Sequence, residues 1–126
     1  MLPQKIEHPA RDFLAALYPG KIPGFLTLWE PRSRRTRYFG PNEVEAFVAE
    51  AERLSRTVDV YYGVGLRQER LAPQKRGAEA DIAAIPGVWI DIDIAGAGHA
   101  DQKRPPTVEA ALDLIKAGDV EPTIVV

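Results

Sequence analysis

The sequence predicts an α+β fold in which a mainly antiparallel sheet carries helices on one face. Segments with the alternation of a strand outnumber the long helical segments, and no regular strand-helix-strand order of a parallel protein is present. The chain has 126 residues, of which 45% are hydrophobic and 27% charged. This composition is typical of a globular protein with one core.

The first half of the chain predicts two helices and a hairpin. Residues 8–17 fit a short helix with Pro9 in its first turn. Residues 24–30 and 36–39 fit two paired strands joined by an arginine-rich connection. A stronger helix follows Gly40 and Pro41, because apolar residues recur there at helical spacing. These residues are Val44, Phe47, Val48, Ala51 and Leu54.

Residues 58–66 predict a strand with strict alternation. One face carries Val58, Val60, Tyr62, Val64 and Leu66, and the other carries Tyr61, Gly63 and Gly65, continued by Arg67. Gly63 and Gly65 leave bare backbone that a ligand or another chain segment could approach closely; the alternative is that they mark a bulge and that Arg67 pairs with a surface acid. A polar loop is predicted for residues 68–76, and a short helix for residues 77–85.

The last third predicts a strand, a helix and a further strand. Residues 88–94 form the first of these, followed by a loop rich in glycine and proline at 96–106. Thr107 is suited to cap a helix that runs through Lys116 and is closed by Gly118. Residues 123–126 begin another strand with no stop signal after it, which predicts a chain cut inside a domain.

Composition excludes several classes of site. The chain has no cysteine, so any metal must bind oxygen or one of the two histidines, His8 and His99. No apolar run reaches the ~18 residues of a membrane span, and residues 1–8 do not resemble a signal peptide. The net charge of −2 does not indicate a generally basic nucleic-acid binder, although arginines cluster locally. These clusters are Arg32, Arg34, Arg35 and Arg37, and Arg67, Arg70, Lys75 and Arg76.

The strand predicted at residues 88–94 carries two acidic side chains on one face. Period two places Asp91 and Asp93 together with Trp89, about 7 Å apart along the strand, opposite a row of apolar residues. Neighbouring carboxylates in apolar surroundings need compensation by basic groups, a raised pKa or a bound cation. Oxygen ligands of this kind favour Mg²⁺ or Mn²⁺.

An Asp-x-Asp pair alone has several interpretations. One is a solvent-facing edge strand with an acidic polar side. Haloacid-dehalogenase-like phosphatases carry such a pair after a hydrophobic strand, but near the N-terminus, and metal-dependent glycosyltransferases carry one after a nucleotide-binding unit. Neither context is present around Asp91 and Asp93.

Several segments together resemble the bifunctional primase-polymerase domain of the archaeo-eukaryotic primase superfamily. The resemblance is carried by residues 62–67 (YGVGLR), Arg76-Gly77, residues 81–87 (DIAAIPG) and residues 89–93 (WIDID). It covers about residues 58–126, and it implies that residues 1–126 are the N-terminal part of a single domain with an RRM-like core.

The resemblance implies that Asp91 and Asp93 bind the catalytic Mg²⁺ or Mn²⁺ ions of a nucleotidyltransferase. It also implies a histidine motif after a later strand and a third acidic residue, neither of which is found in this sequence. We expect His99 to be a loop histidine, because it directly follows the acidic strand. The 126 residues alone are therefore expected to be catalytically incomplete.

Basic residues are candidates for phosphate contacts. Within the resemblance, Arg67 and Arg76 are candidates for binding nucleotide phosphate, Arg67 through its planar guanidinium. Arg34, Arg35 and Arg37 of the hairpin are candidates for the template backbone. Trp89 is expected to pack in the sheet or core.

The implied partners are nucleoside triphosphates, single-stranded or primed DNA, the remainder of the domain and a C-terminal helicase or ATPase region, with no membrane and a cytoplasmic location. A non-catalytic module is the alternative: a primase-like fold that binds DNA or assembles a replication initiator. A metal-dependent phosphatase or nuclease is a third interpretation, and it predicts hydrolysis without a template.

Overall fold

The structure, a computed structural model, describes residues 8–96, 103–119 and 121–122. Helices and antiparallel sheets occur together, which confirms the α+β prediction. The chain divides into two compact units, Met1–Gly87 and Val88–Val126. The prediction that both belong to one larger domain stays a prediction.

The first unit contains most of the regular structure. Its elements are α1 (Pro9–Leu17), β1 (Leu26–Glu30), β2 (Arg35–Phe39), α2 (Val44–Ser55), β3 (Tyr61–Tyr62), β4 (Leu66–Arg67), a 3₁₀ turn (Glu79–Asp81) and β5 (Ile82–Ala84). Strand β1 lies between β2 and β3 in an antiparallel sheet, and β4 pairs with β5. The helices and the hairpin predicted before residue 58 are confirmed to within a few residues.

The core lies between this sheet and the two helices. Leu26 and Leu28 of β1 are buried against Leu14 of α1 and against Phe47 and Val48 of α2. These apolar side chains follow the helical spacing and the strand alternation of the sequence. We call this the helix side of the sheet; the opposite side carries Thr27, Trp29, Thr36 and Tyr38.

The strand predicted at residues 58–66 is broken in the structure. Tyr62 pairs with Leu28, and continuing that register would place Gly65 opposite Phe25. Phe25 instead exchanges backbone hydrogen bonds of 2.9 and 3.0 Å with Arg67. Two extra residues are therefore accommodated as a bulge. Because two residues are inserted and side chains alternate with a period of two, each residue stays on its predicted face. Tyr62 and Leu66 therefore still join the core.

The short helix predicted at residues 77–85 is wrong. Gly77 has a φ of +89°, and the side chain of Asp81 accepts a 2.7 Å hydrogen bond from the backbone N–H of Ala78. This local bond closes a single 3₁₀ turn and does not propagate a helix. The chain then enters β5, where Ala84 pairs with Leu66.

The strand predicted at residues 88–94 is also wrong as a paired element. This stretch has no assigned strand structure, and Val88, Trp89 and Ile90 are 94%, 65% and 79% exposed. A sheet requires a neighbour that satisfies its backbone groups. No such neighbour is present for it within residues 8–96, 103–119 and 121–122.

The second unit contains the predicted helix, α3 (Val108–Ala117). The Thr107 side chain accepts a 3.1 Å hydrogen bond from the backbone N–H of Ala110, and Gly118 is the C-cap, as predicted. The strand predicted at 123–126, His99 and part of the 96–106 loop lie outside the described residues. None of the helices in the described part of the chain is long and apolar enough to cross a membrane.

Candidate functional site

The two acidic residues of the Asp-x-Asp pair lie in the second unit. Asp91 and Asp93 are exposed, whereas Ile92 and Ile94 are half-buried. The predicted apolar row does not hold along its whole length, because Val88 and Ile90 of the same row are 94% and 79% exposed. That both carboxylates share one side of the segment therefore stays a prediction.

Arg104 provides a positive charge beside one of the acids. Its Nη1 lies 2.9 Å from Oδ2 of Asp93, with side-chain exposures of 30% and 53%. This contact was not predicted; its one signal in the sequence is a basic pair, Lys103-Arg104, in a loop rich in glycine and proline. A salt bridge this exposed contributes at most about 1 kcal/mol, so it opposes a cation at Asp93 only weakly.

The carboxylate oxygens of Asp91 and Asp93 are the type of ligand that a hard divalent cation prefers. Two exposed carboxylates are ligands that Mg²⁺ combines with water and phosphate oxygens. The described residues contain no group of three or more histidine, cysteine or acidic side chains placed to hold a metal. A metal at Asp91 and Asp93 would therefore depend on oxygens from outside this pair.

Arg67 organises the loop of the first unit. Its Nε donates a 2.9 Å hydrogen bond to the carbonyl of Arg76, and its Nη1 donates to the carbonyl of Gly65. These bonds use two of the five N–H donors of the guanidinium, and the two N–H groups of Nη2 take no part in them. The prediction that Arg67 binds nucleotide remains, but its structural role here is to hold the backbone of Arg76.

Arg76 lies over an aromatic ring of the sheet. The carbon of its guanidinium is 4.8 Å from the centroid of Trp29, within the range of a cation–π interaction. The structure brings Arg67 and Arg76 together through the carbonyl of Arg76, and the prediction that they bind nucleotide phosphate stays a prediction. The guanidinium of Arg76 itself is directed to Trp29.

Backbone contacts fasten the 68–76 loop to the sheet. The backbone N–H of Thr36 donates to the carbonyl of Pro73 at 2.6 Å, and the hydroxyl of Tyr38 donates to the carbonyl of Lys75. Burial raises the pKa of the Tyr38 hydroxyl, so it remains a donor. Arg70 donates to the carbonyl of Tyr38 at 2.6 Å. The loop therefore covers part of the side of the sheet that faces away from the helices.

The three hairpin arginines have different surroundings. Arg34 is exposed in the turn with a φ of +56°, and Arg35 is exposed opposite Glu30. Arg37 is only 15% exposed and lies on the helix side, where it contacts Glu30 at 3.2 Å and Glu50 at 2.9 Å. Arg37 thus neutralises acids within the fold, while Arg34 and Arg35 remain accessible for the predicted template contact.

Two sequence interpretations change in the structure. Trp89 was expected to pack in the sheet or core, but 65% of it is exposed. Gly63 was considered a place where a ligand or another segment approaches the backbone. It is another segment: a Cβ on Gly63 would overlap the hydroxyl of Thr27, and the N–H of Gly63 bonds the carbonyl of Thr27 at 3.0 Å.

Comparisons with protein families, curated proteins and solved structures find no match to this chain.

Proposed function

We propose that this chain carries the Asp-x-Asp part of a primase-polymerase active site, in which nucleoside triphosphates are joined on a DNA template. The observation that carries the proposal is the pair Asp91 and Asp93, exposed in alternation with half-buried Ile92 and Ile94. The sequence resemblance around residues 62–67 and 76–93 supports the same reaction class.

In the proposed reaction, a 3′-hydroxyl attacks the α-phosphorus of an incoming nucleoside triphosphate. A new phosphodiester bond forms, the bond to the β-phosphate breaks, and pyrophosphate leaves. Mg²⁺ or Mn²⁺ would supply the charge that lowers the pKa of the hydroxyl and stabilises the leaving oxygen. Asp91 and Asp93 would hold it, and Arg104 would have to share or release Asp93.

Metal binding by the 126-residue chain tests the first step. Titration with Mn²⁺, followed by the electron paramagnetic resonance signal of the free ion, should show a site that Asp91→Asn and Asp93→Asn each weaken. Arg104→Gln should tighten it, because the competing cation is removed. Asp113→Asn is the matched control, since this acid is exposed and paired with Lys116 at 3.9 Å. Equal effects of all three acidic substitutions would contradict the proposal.

Template-directed synthesis tests the reaction itself. The assay uses a reading frame that also carries the histidine motif and third acid that the resemblance implies. Incorporation of nucleotides should require template and Mg²⁺ or Mn²⁺, and Asp91→Asn with Asp93→Asn should lower it by at least about 100-fold, because losing a residue that only supports a metal ligand already costs about 10- to 100-fold. Activity that survives this double substitution would remove the metal role. Phosphoester hydrolysis without template would instead indicate a phosphatase or nuclease.

A non-catalytic DNA-binding or assembly module is the second candidate. It is favoured by the Asp93–Arg104 ion pair and by the use of Arg67 donors on backbone carbonyls. This candidate predicts DNA binding that is unchanged in the double Asn variant, with no synthesis in any reading frame.

The proposed setting is replication of a phage, plasmid or similar element in the cytoplasm, beside a helicase or ATPase region. A sequence without cysteine fits a reducing compartment. Co-purification of primer synthesis with ATP-driven unwinding from the parent protein would support this setting.

A further inference from the structure

Two aromatic side chains lie side by side on the sheet of the first unit. Trp29 of β1 is directly opposite Tyr61 of β3, so both project from the same face. Their neighbours Leu28 and Tyr62 form the adjacent pair and project to the helix side, where Leu28 is buried in the core. Trp29 and Tyr61 therefore belong to the side that the helices leave uncovered.

More than half of the Tyr61 side chain is exposed. Its exposed fraction is 57%, on the outer strand of the three-stranded sheet, whereas Trp29 is half-buried. An exposed aromatic ring on a sheet edge presents a flat apolar face with a polar hydroxyl. Such faces stack on nucleic-acid bases of any sequence.

Arg76 extends this surface with a second flat group. Its guanidinium covers Trp29 at 4.8 Å, and its backbone is fixed by the 2.9 Å hydrogen bond from Arg67. The next residue, Gly77, has a φ of +89°, a conformation that side chains rarely adopt. The position of Arg76 is thus built by its neighbours, and a guanidinium plane is itself a stacking surface for bases.

The charges near these two planes suit a polyanion. Arg76 itself is exposed, and the turn that follows β1 carries the exposed Arg32 and Arg34. Arg35 does not contribute, because it is opposite Glu30 and projects to the helix side. Asp59, two residues before Tyr61, is the acid nearest to Tyr61 in sequence. Arg76 and the turn after β1 therefore supply the positive charge for a phosphate backbone.

We propose that the surface formed by Trp29, Tyr61 and Arg76 binds single-stranded DNA by stacking bases on the Tyr61 ring and the Arg76 guanidinium. Duplex DNA does not fit this surface, because its bases already stack on one another. The inference names the template-contacting surface of the proposed function and rests on it for its biological role, but the binding itself needs no metal.

The test measures binding of a labelled oligo(dT) of about 12 nucleotides to the 126-residue chain in EDTA at about 50 mM salt. Tyr61→Ala should weaken binding by about 5- to 100-fold, the effect of losing one stacked base. Tyr61→Phe should bind as tightly as the unsubstituted chain, because it keeps the aromatic ring. Arg76→Gln should weaken binding, whereas Arg53→Gln, on α2, should not. Arg53 is the matched control because it is an exposed arginine that pairs with Glu50 on the surface of α2.

Tryptophan fluorescence gives a second readout, which separates stacking at this surface from a general loss of electrostatic attraction. The chain has two tryptophans, so a Trp89→Phe background leaves Trp29 as the reporter. Oligo(dT) should change the Trp29 emission in this background, and Tyr61→Ala should reduce the change at equal occupancy.

Three results would overturn the inference: parent-like binding by Tyr61→Ala, equal weakening by Arg53→Gln and Arg76→Gln, or duplex DNA that binds as tightly as oligo(dT). Failure of the proposed function is distinguishable. Binding in EDTA that depends on Tyr61 and persists in Asp91→Asn with Asp93→Asn supports the surface even if no synthesis is found.

Discussion

The two units of this chain use similar apolar sequence in opposite ways. In the first unit, Leu26 and Leu66 are fully buried, and each lies in a strand with a paired neighbour. In the second, Val88 and Ile90 belong to an equally regular apolar alternation but are 94% and 79% exposed. The difference teaches that alternation determines which side chains share a face, whereas burial requires a partner element.

The largest expected difference between the units is the cost of removing an apolar side chain. Leu66→Ala should lower the free energy of unfolding by about 2–5 kcal/mol, because it leaves a cavity in the core. Ile90→Ala should change it by less than about 0.5 kcal/mol, since little burial is lost. Urea titrations of both variants check this. A loss for Ile90→Ala that matches Leu66→Ala would show that residues 88–94 are packed in solution.

Glycine substitutions compare the packing of the two units again, with an expected loss of stability smaller than that of Leu66→Ala. Gly63→Ala places a methyl group on the Thr27 side chain and should cost about 1–3 kcal/mol of unfolding free energy. Among the described residues, a methyl group added by Gly96→Ala in the second unit meets nothing within 4 Å, and this change should be nearly neutral. In a Thr27→Ala background the cost of Gly63→Ala should shrink. An unchanged cost there would mean that contact with Thr27 is not the cause.

The smallest expected effect concerns a carboxylate of the first unit, Glu50, and it is visible in the pH dependence of stability. Hydrogen bonds from Arg53, and then the charges of Arg53 and Arg37, hold the pKa of Glu50 below its ordinary value of 4.5. Its contribution is therefore complete above about pH 4.5 and is lost as the pH falls through the lower folded pKa. Glu50→Gln should lower stability at pH 7 and flatten its decline on acidification. Parallel stability curves for parent and variant would contradict this assignment.

Local signals predicted the helices of both units well, because the residues that specify each helix lie close together in sequence. Pro9, the apolar spacing of α2 and the capping hydroxyl of Thr107 each act within a few residues. In the 58–66 strand, the two glycines indicated a bulge as one alternative, but the residues that pair across it were not predictable in this way. The break depends on Phe25 pairing with Arg67, about 40 residues away, and on the close approach of Gly63 to Thr27.

In the candidate site too, features set by nearby residues were predictable, and features set by distant contacts were not. The prediction that Asp91 and Asp93 share one side rests on period two, which is a property of an extended chain. The ion pair with Arg104, the guanidinium of Arg76 over Trp29 and the burial of Arg37 all depend on tertiary placement. Residue type identified the charged groups, but it did not identify the groups that each one contacts.

The exposed run at residues 88–94 also gives the two aspartates a second consequence. Without their charges, this stretch would be seven uncharged residues rich in β-branched and aromatic side chains, the composition that assembles into intermolecular strands. Asp91 and Asp93 interrupt it as gatekeepers against aggregation, through mutual repulsion between copies of the chain. Selection on these positions would then act on proteostasis as well as on chemistry, and a variant that loses both charges should be checked by light scattering before any loss of activity is attributed to metal.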